Sequence, residues 1–442
     1  MKKLFLFSLL AFMTVMANAQ QAWTLQQCID YAMEHNTGIL QSQLQRQNAD
    51  YQLKMSQNAW LPTVSANASE GLGFGQSPSY TGVYVSDNSS SASVGVNVSM
   101  PLFQGLNIYN TTKAGQLNLQ ATIQDLEAAK RDLSLTIMAY SMDVVYCKEL
   151  KGVAERQLEL SENQHQRTRE LYEIGKVPES NVYESAAQVA SDQASLTEAE
   201  NNLMLRLLDL TQAMEIDQVE GFDVVAPDTF MTEDELPLAS AQSTIQHALA
   251  HQPEMLSAQY RLEQARYELK AAKSAWYPSL SFFGGYSNGY YHYFTDGYAN
   301  KPLSEQLQTN GRTQLGLSLN IPIFNGMQTK YRVKMTELDI DNQQINMENT
   351  GKKVKKEIQQ AYYNAVAAKQ KFVAADNSLK SSQLAYEYAQ AGYDAGKTTL
   401  LELNESKNRL YKAESSMLQA KYEYLYRCKV MAFYNEDPSH QY

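Results

Sequence analysis

His247 and His251 stand four residues apart in a segment of helical character, a spacing at which two imidazoles can share a metal ion. No H-E-x-x-H accompanies them and no third ligand stands nearby, so they read as surface histidines and no metal site is assigned. Cys28, Cys147 and Cys428 are odd in number and far apart, which gives neither a disulfide framework nor metal-ligand spacing. There is no phosphate loop, no dinucleotide glycine motif and no G-x-S-x-G elbow. An enzyme is therefore not expected, and no cofactor is implied. The formal charge of −11 argues against a nucleic-acid partner. Glu402 and Glu405, three residues apart, share one helix face and could attract cations if repeated around an axis.

The elements that must position such residues are set by an internal duplication. Ala59-Trp60-Leu61-Pro62 returns as Ala275-Trp276-Tyr277-Pro278, a shift of 276 − 60 = 216. Met100-Pro101-Leu102-Phe103 returns as Ile321-Pro322-Ile323-Phe324, and Ile174-Gly175-Lys176 as Ala395-Gly396-Lys397, both shifted by 221 (322 − 101 and 396 − 175). One unit is built twice. A signal peptide is expected over 1–19, with Lys2 and Lys3 ahead of an apolar run and Ala17-Asn18-Ala19 as the cleavage site. A first repeat follows over 20–213, a linking segment over 214–240, a second repeat over 241–433 and a tail over 434–442.

Beyond the signal no apolar stretch is long enough for a membrane helix, so a β-barrel is the remaining way to span a bilayer. Strands are expected at 63–75, 92–100, 279–290 and 312–321. Val94, Val96, Val98 and Met100 fall on one face with small or polar residues between them, and Leu315, Leu317, Leu319 and Ile321 repeat the pattern. Leu280, Phe282, Tyr286 and Tyr290 share a face in the same way. Pro62, Pro101, Pro278 and Pro322 mark the strand–helix junctions.

The remainder reads as helix. Long helices are expected at 106–172 and 327–393, neither with an internal proline, and each about 100 Å long at ~1.5 Å per residue. Return helices are expected at 178–213 and 398–433, and helices at 24–60 and 241–276 flank the hairpins. Val182, Val189, Leu196, Leu203 and Leu210 recur every seven residues, as do Leu403, Leu410, Met417 and Tyr424. Three positions on, Ser406, Ala413 and Ala420 are small and permit close helix approach. Four strands cannot close a barrel, since about 8 is the smallest natural number, whereas three copies would supply twelve. The fold class expected is mainly α with a shared β-barrel: coiled-coil helices forming a tube, and four strands per protomer in a trimeric twelve-stranded barrel.

The chain resembles the TolC family of outer-membrane efflux channels. The resemblance rests on Trp23-Thr24-Leu25-Gln26-Gln27-Cys28-Ile29 with Ala32 and Asn36, on the duplicated prolines at 101 and 322, and on the glycine-centred tips at Gly175 and Gly396. It implies a homotrimer in the outer-membrane lipid, extending into the periplasm. It further implies docking on a periplasmic membrane-fusion adaptor and an inner-membrane pump of the resistance-nodulation-division or ABC type. By the same resemblance Glu402 and Glu405, with Tyr393 and Asp394, fall at a periplasmic gate, and Ile174, Gly175, Lys176, Ala395, Gly396 and Lys397 at adaptor-docking tips. The family often carries a basic residue two after the tip glycine, where this chain has Thr398. The function implied is a passive exit duct for drugs or other small solutes. The channel of a type I protein secretion system, or a periplasmic coiled-coil protein without a pore, are the alternatives.

Overall fold

A computed structural model describes residues 22–78, 82–225, 240–294 and 299–435. The expected signal peptide, residues 226–239 of the linking segment, and the tail beyond 435 lie outside the described residues. In chain order the elements are α1 (Leu25–His35), α2 (Thr37–Gln57), β1 (Thr63–Gly73), β2 (Gln76–Pro78), β3 (Tyr84–Ser86) and β4 (Ser89–Gln104). There follow α3 (Asn107–Glu173), α4 (Glu179–Ala213), α5 (Ala241–His251), α6 (Pro253–Lys273), β5 (Ser279–Tyr293) and α7 (Leu303–Thr309). The chain closes with β6 (Arg312–Asn320), α8 (Gln328–Asp394) and α9 (Leu400–Asn435). The long and return helices lie within two residues of expectation. The helices expected at 24–60 and 241–276 are each broken in two, at Asn36 and at Gln252, where both backbones turn extended. Pro253 restricts Gln252 to extended geometry; at Asn36 the side chain instead accepts from Gly38 N (2.9 Å) and caps the next helix.

By contacts the chain forms two compact units, and these cut across the two repeats. One takes residues up to Gln45, Ile123–Leu256 and those from Glu348 on; the other takes Arg46–Thr122 and Ser257–Met347. Sequence similarity therefore does not mark the structural boundaries.

The second unit holds a four-stranded antiparallel sheet in the order β1-β4-β5-β6. Its register places Val64, Ala66 and Ala68 beside Val98, Val96 and Val94. The same face continues through Phe282 and Tyr286 to Leu317 and Thr313. Val64, Val94, Val96, Leu315, Leu317 and Leu319 are all exposed on it, as a membrane-facing band requires. The opposite face is polar: Asn97 Nδ2 donates to Asn67 Oδ1 (2.9 Å) and the hydroxyls of Ser69 and Ser93 lie 2.8 Å apart.

Of the four prolines, Pro62 and Pro278 stand immediately before β1 and β5, and Pro322 follows β6. Pro101 is not at the junction. It lies inside β4, opposite Ser281, where the register shifts between Pro101 and Phe103 in a bulge, one of the few sheet positions that tolerate a residue without an N–H. The turn into helix is made instead by Gly105-Leu106 and by Gly326-Met327, all four with φ between 59° and 65°. Two further elements carried no signal: the small β2–β3 hairpin, and α7 between β5 and β6.

The first unit is packed helix on helix. Its main core gathers Cys28, Ile137, Val144, Leu210, Met214 and Val224, with Trp23 and Tyr31 against it. The described start of the linking segment is fastened there, with Trp23 N donating to Asp223 O (2.8 Å) and Val225 N to Trp23 O (3.0 Å). The three cysteines are buried and free, and burial pushes the Cys28 thiol up to about 12, which leaves it inert. On the return helices a column of mostly small residues is buried, Ser185, Asp192 and Ala199 on α4 and Ser406, Ala413 and Ala420 on α9, alongside Leu210, Leu403 and Tyr424 of the heptads. The two columns are in register, since 406 − 185, 413 − 192 and 420 − 199 are each 221. One member is charged. Asp192 accepts from Lys407 Nζ at 3.1 Å, Ser161 of α3 makes short hydrogen bonds to both, and Gln188 donates to the second oxygen of Asp192 (2.9 Å). Lys407 and Asp192 are each only 5% exposed, and burial pulls the Lys407 ammonium below its usual 10.5 against the attraction of Asp192.

Two outcomes follow from these contacts. A Cβ at Gly105 would sit 2.7 Å from the Ser274 carbonyl oxygen, whereas one at Gly326 meets nothing within 4 Å. Gly105→Ala should therefore lower thermal stability in detergent well beyond the ~1–2 kcal/mol of left-handed strain that Gly326→Ala incurs. Equal losses would contradict the clash. Asp192→Ala or Lys407→Met alone should cost about 3–5 kcal/mol by stranding a buried charge. The Asp192→Leu/Lys407→Met pair should cost less than either, as read by denaturant unfolding.

Candidate functional site

The residues that sequence singles out as tips lie at the ends of α3 and α8, and both ends are built alike. Gly175 (φ 74°) donates its N–H to Tyr172 O at 2.8 Å, and Lys176 N donates to Leu171 O at 2.8 Å. Gly396 (φ 72°) repeats this, donating to Tyr393 O at 2.9 Å, with Lys397 N to Gly392 O at 2.8 Å. Crossed bonds of this kind satisfy the last helical carbonyls and need a left-handed residue, which glycine supplies without steric cost. Space around both glycines is open. Ile174, Lys176, Ala395 and Lys397 are presented on the turns; Ile174, Ala395 and Lys397 are exposed and Lys176 is exposed beside the half-buried Val177.

The two tips differ in how the return helix starts. Pro178 precedes α4 and makes no side-chain cap. At α9 the Thr399 hydroxyl accepts from Glu402 N (3.2 Å), and Glu402 Oε2 accepts from Thr399 N (2.9 Å). That reciprocal pair is a capping box, so Glu402 has a local partner as well as a negative charge near the helix N-terminus. Glu405 is exposed and pairs with Arg409 one turn on at 3.4 Å. Both carboxylates remain solvated, and both lie on the first turns of α9.

Asp394 has partners of its own. Asp394 Oδ1 accepts from Gln390 Nε2 at 3.1 Å and from Arg167 Nη1 at 2.6 Å. Arg167 belongs to α3, so this ion pair fastens the end of the second long helix to the first. Both side chains are more than a third exposed, which limits such a pair to at most about 1 kcal/mol. The Tyr393 hydroxyl is buried without a hydrogen-bond partner. Sequence reasoning missed Arg167, because it lies eight residues before its tip glycine and Asp394 only two before the other; no periodicity links them. The Asp192–Lys407 pair was missed too, although an aspartate in a heptad column of Ser and Ala was a readable sign.

His247 and His251 stack with ring centres 4.4 Å apart, and His251 Nδ1 lies 3.0 Å from the His247 carbonyl. The His251 ring thus bonds within its own helix, while His247 Nδ1 is buried without a hydrogen-bond partner. No group of three metal-ligating side chains converges among the described residues.

The comparisons with known proteins agree with this architecture. The model of the family described as outer membrane efflux protein matches residues 28–214 and 244–427, one segment in each repeat. Outer membrane protein TolC of Vibrio cholerae serotype O1 is 24% identical over 430 residues, covering 96% of this chain and 93% of that protein. The crystal structure of the Campylobacter jejuni CmeC outer membrane channel superposes with a TM-score of 0.78 at 20% identity, covering 94% of this chain and 87% of that one. A structure of CusC does so with a TM-score of 0.76 at 18% identity, covering 95% of both. With a duplicated helix–hairpin unit, an apolar sheet face and two glycine-turned tips in the matched regions, this chain belongs to the outer membrane efflux protein family.

Proposed function

We propose that three copies of the chain close a twelve-stranded barrel in the outer membrane and continue it as a helical duct into the periplasm. The observation that carries this is the sheet β1-β4-β5-β6, whose two outer strands have no further partner among the described residues. An open edge in hydrocarbon leaves N–H and C=O groups unpaired at several kcal/mol each, so β6 of one copy must pair with β1 of the next. In this duct the tips at Gly175 and Gly396 dock on a periplasmic adaptor, which joins the channel to an inner-membrane pump. Drugs or other small solutes pass through; the channel supplies path and gate, and the pump supplies the energy.

The gate in this reading lies at the start of α9. Tripled about an axis, Glu402 and Glu405 place six carboxylates around the entrance and favour cations. The Arg167–Asp394 pair, which ties the two long helices of one copy, supports a closed resting end, and its weakness as an exposed pair suits a joint that must release.

The purified protein should run as a trimer in detergent and show a small, cation-preferring conductance in a planar bilayer. Glu402→Gln/Glu405→Gln should abolish that preference while leaving the fold intact, because a glutamine at the third helical position can still accept from Thr399 N. Unchanged selectivity would leave Glu402 as a helix cap alone, and a stable monomer would remove the shared barrel. Lys176→Glu/Lys397→Glu should weaken adaptor binding and efflux by tenfold or so (about 1.4 kcal/mol) without altering conductance. Normal efflux in that variant would dismiss the tips as docking contacts.

A further inference from the structure

The helix α7 is joined to β5 in a way that reveals which side of the sheet it occupies. β5 outlasts its neighbour: pairing with β6 ends at Ser287 opposite Arg312. Beyond that point the free edge of β5 is met by side-chain amides in place of a strand. Asn310 Nδ2 donates to Gly289 O (2.7 Å). Gln306 accepts from Tyr291 N and donates to Tyr291 O, both at 2.9 Å. Asn300 does the same for Tyr293, at 2.8 and 2.7 Å. Gln306 and Asn300 reproduce the acceptor–donor pairs that an antiparallel strand would offer, and Asn310 adds a donor at the next alternate residue. They hold α7 rigidly against the end of the sheet, with Gln306 buried.

A second contact gives the side. Asn288 has the same parity along β5 as Leu280, Phe282 and Tyr286, so its side chain leaves the sheet on the apolar, membrane-facing face. There it donates to the Leu307 carbonyl at 2.7 Å and to the Tyr286 hydroxyl at 3.2 Å. α7 therefore sits at the free edge of β5 and meets its outer face at Leu307. Its level follows from the band itself. From Leu280 to Tyr290 a strand tilted by ~40° rises roughly 25 Å, the full height of an outer-membrane apolar belt. Asn288 thus marks the belt's outer margin, and a ladder of aromatic rings continues past it: Tyr290 and His292 stack at 6.4 Å, and His292 meets Phe294 edge-on at 5.2 Å.

On α7 itself Leu303 and Leu307 are four residues apart, on one flank of the buried Gln306, and are 53% and 45% exposed. The opposite flank carries Glu305, paired with Lys301 at 2.8 Å. An apolar stripe left open beside a membrane belt, at the height where aromatic residues anchor barrels, fits one partner. We propose that α7 is an interfacial anchor whose Leu303 and Leu307 enter the boundary of headgroups and acyl chains in the outer leaflet of the outer membrane. The inference rests on the barrel reading above and deepens it. It assigns a membrane contact to a segment between β5 and β6 that carries no signal in the sequence.

The test places single nitroxide labels at Leu303→Cys, Leu307→Cys, Glu305→Cys and Leu317→Cys in the full-length protein, reconstituted in vesicles of phospholipid and lipopolysaccharide. The three native cysteines are buried, and the unsubstituted protein sets the labelling background. Collision with oxygen, which partitions into lipid, is compared with collision with a water-soluble nickel complex. The label at 317, on the apolar face within the belt and opposite Phe282, should favour oxygen; those at 303 and 307 should also favour oxygen, though less; the label at 305 should favour nickel. If 317 favours oxygen while 303 and 307 favour nickel, α7 stands in water and the anchor is overturned with the barrel intact. If 303 and 307 collide with neither, they are packed against a neighbouring copy, which overturns it equally. A label at 317 that favours nickel would remove both the barrel reading and the anchor.

Discussion

Backbone hydrogen bonding at the edges of one small sheet governs this molecule. Four strands present an apolar face of Val, Leu and Phe to the outside and a polar face of Ser and Asn to the inside, yet leave β1 and β6 unmatched at either end. In water such edges could be solvated; in hydrocarbon they cannot. The apolar face requires the membrane and the membrane requires closed edges, so the proposed trimer is a consequence of the strand count. Where β5 runs past its partner the same demand is met inside the chain, by the amides of Asn300, Gln306 and Asn310.

The helical part obeys a different constraint, close approach. Return helices that bury Ser185 and Ala199, or Ser406, Ala413 and Ala420, put backbone near backbone, and no large side chain would fit there. Asp192 breaks the column and is tolerated because Lys407, Ser161 and Gln188 surround it. A buried pair of this kind contributes little net stability beyond what apolar residues would supply, but it penalises any other register of the three helices heavily. The exposed Arg167–Asp394 pair near the tips is the opposite case, weak and releasable. Strong registration in the shaft and weak ties at the end suit a duct that is rigid along its length and moves only at its entrance.

The tips show how one residue can serve two purposes. Gly175 and Gly396 end their helices with crossed hydrogen bonds, which already accounts for glycine, and the same tight turn leaves the flanking lysines free for a partner. Glu402 is likewise a cap by geometry and, in the proposed duct, a gate charge as well.

Duplication, alternation and heptads were legible in the chain because each is a local period: the repeat shifts of 216 and 221, the valines of β4, and the seven-residue spacing on α4 and α9 all survive without knowledge of neighbours. Those periods determined the four sheet strands, the two long helices and the glycine tips to within a few residues. They could not determine what depends on a partner distant in sequence. Pro101 reads as a junction but sits in a bulge opposite Ser281, because only the pairing of β4 with β5 shows where the ladder slips. The partners of Asp394 and Asp192 lie more than 200 residues away, and α7 carries no period longer than its own two turns. Its place on the membrane-facing side follows from a single asparagine meeting a carbonyl, a contact that exists only once the strand and the loop are folded together.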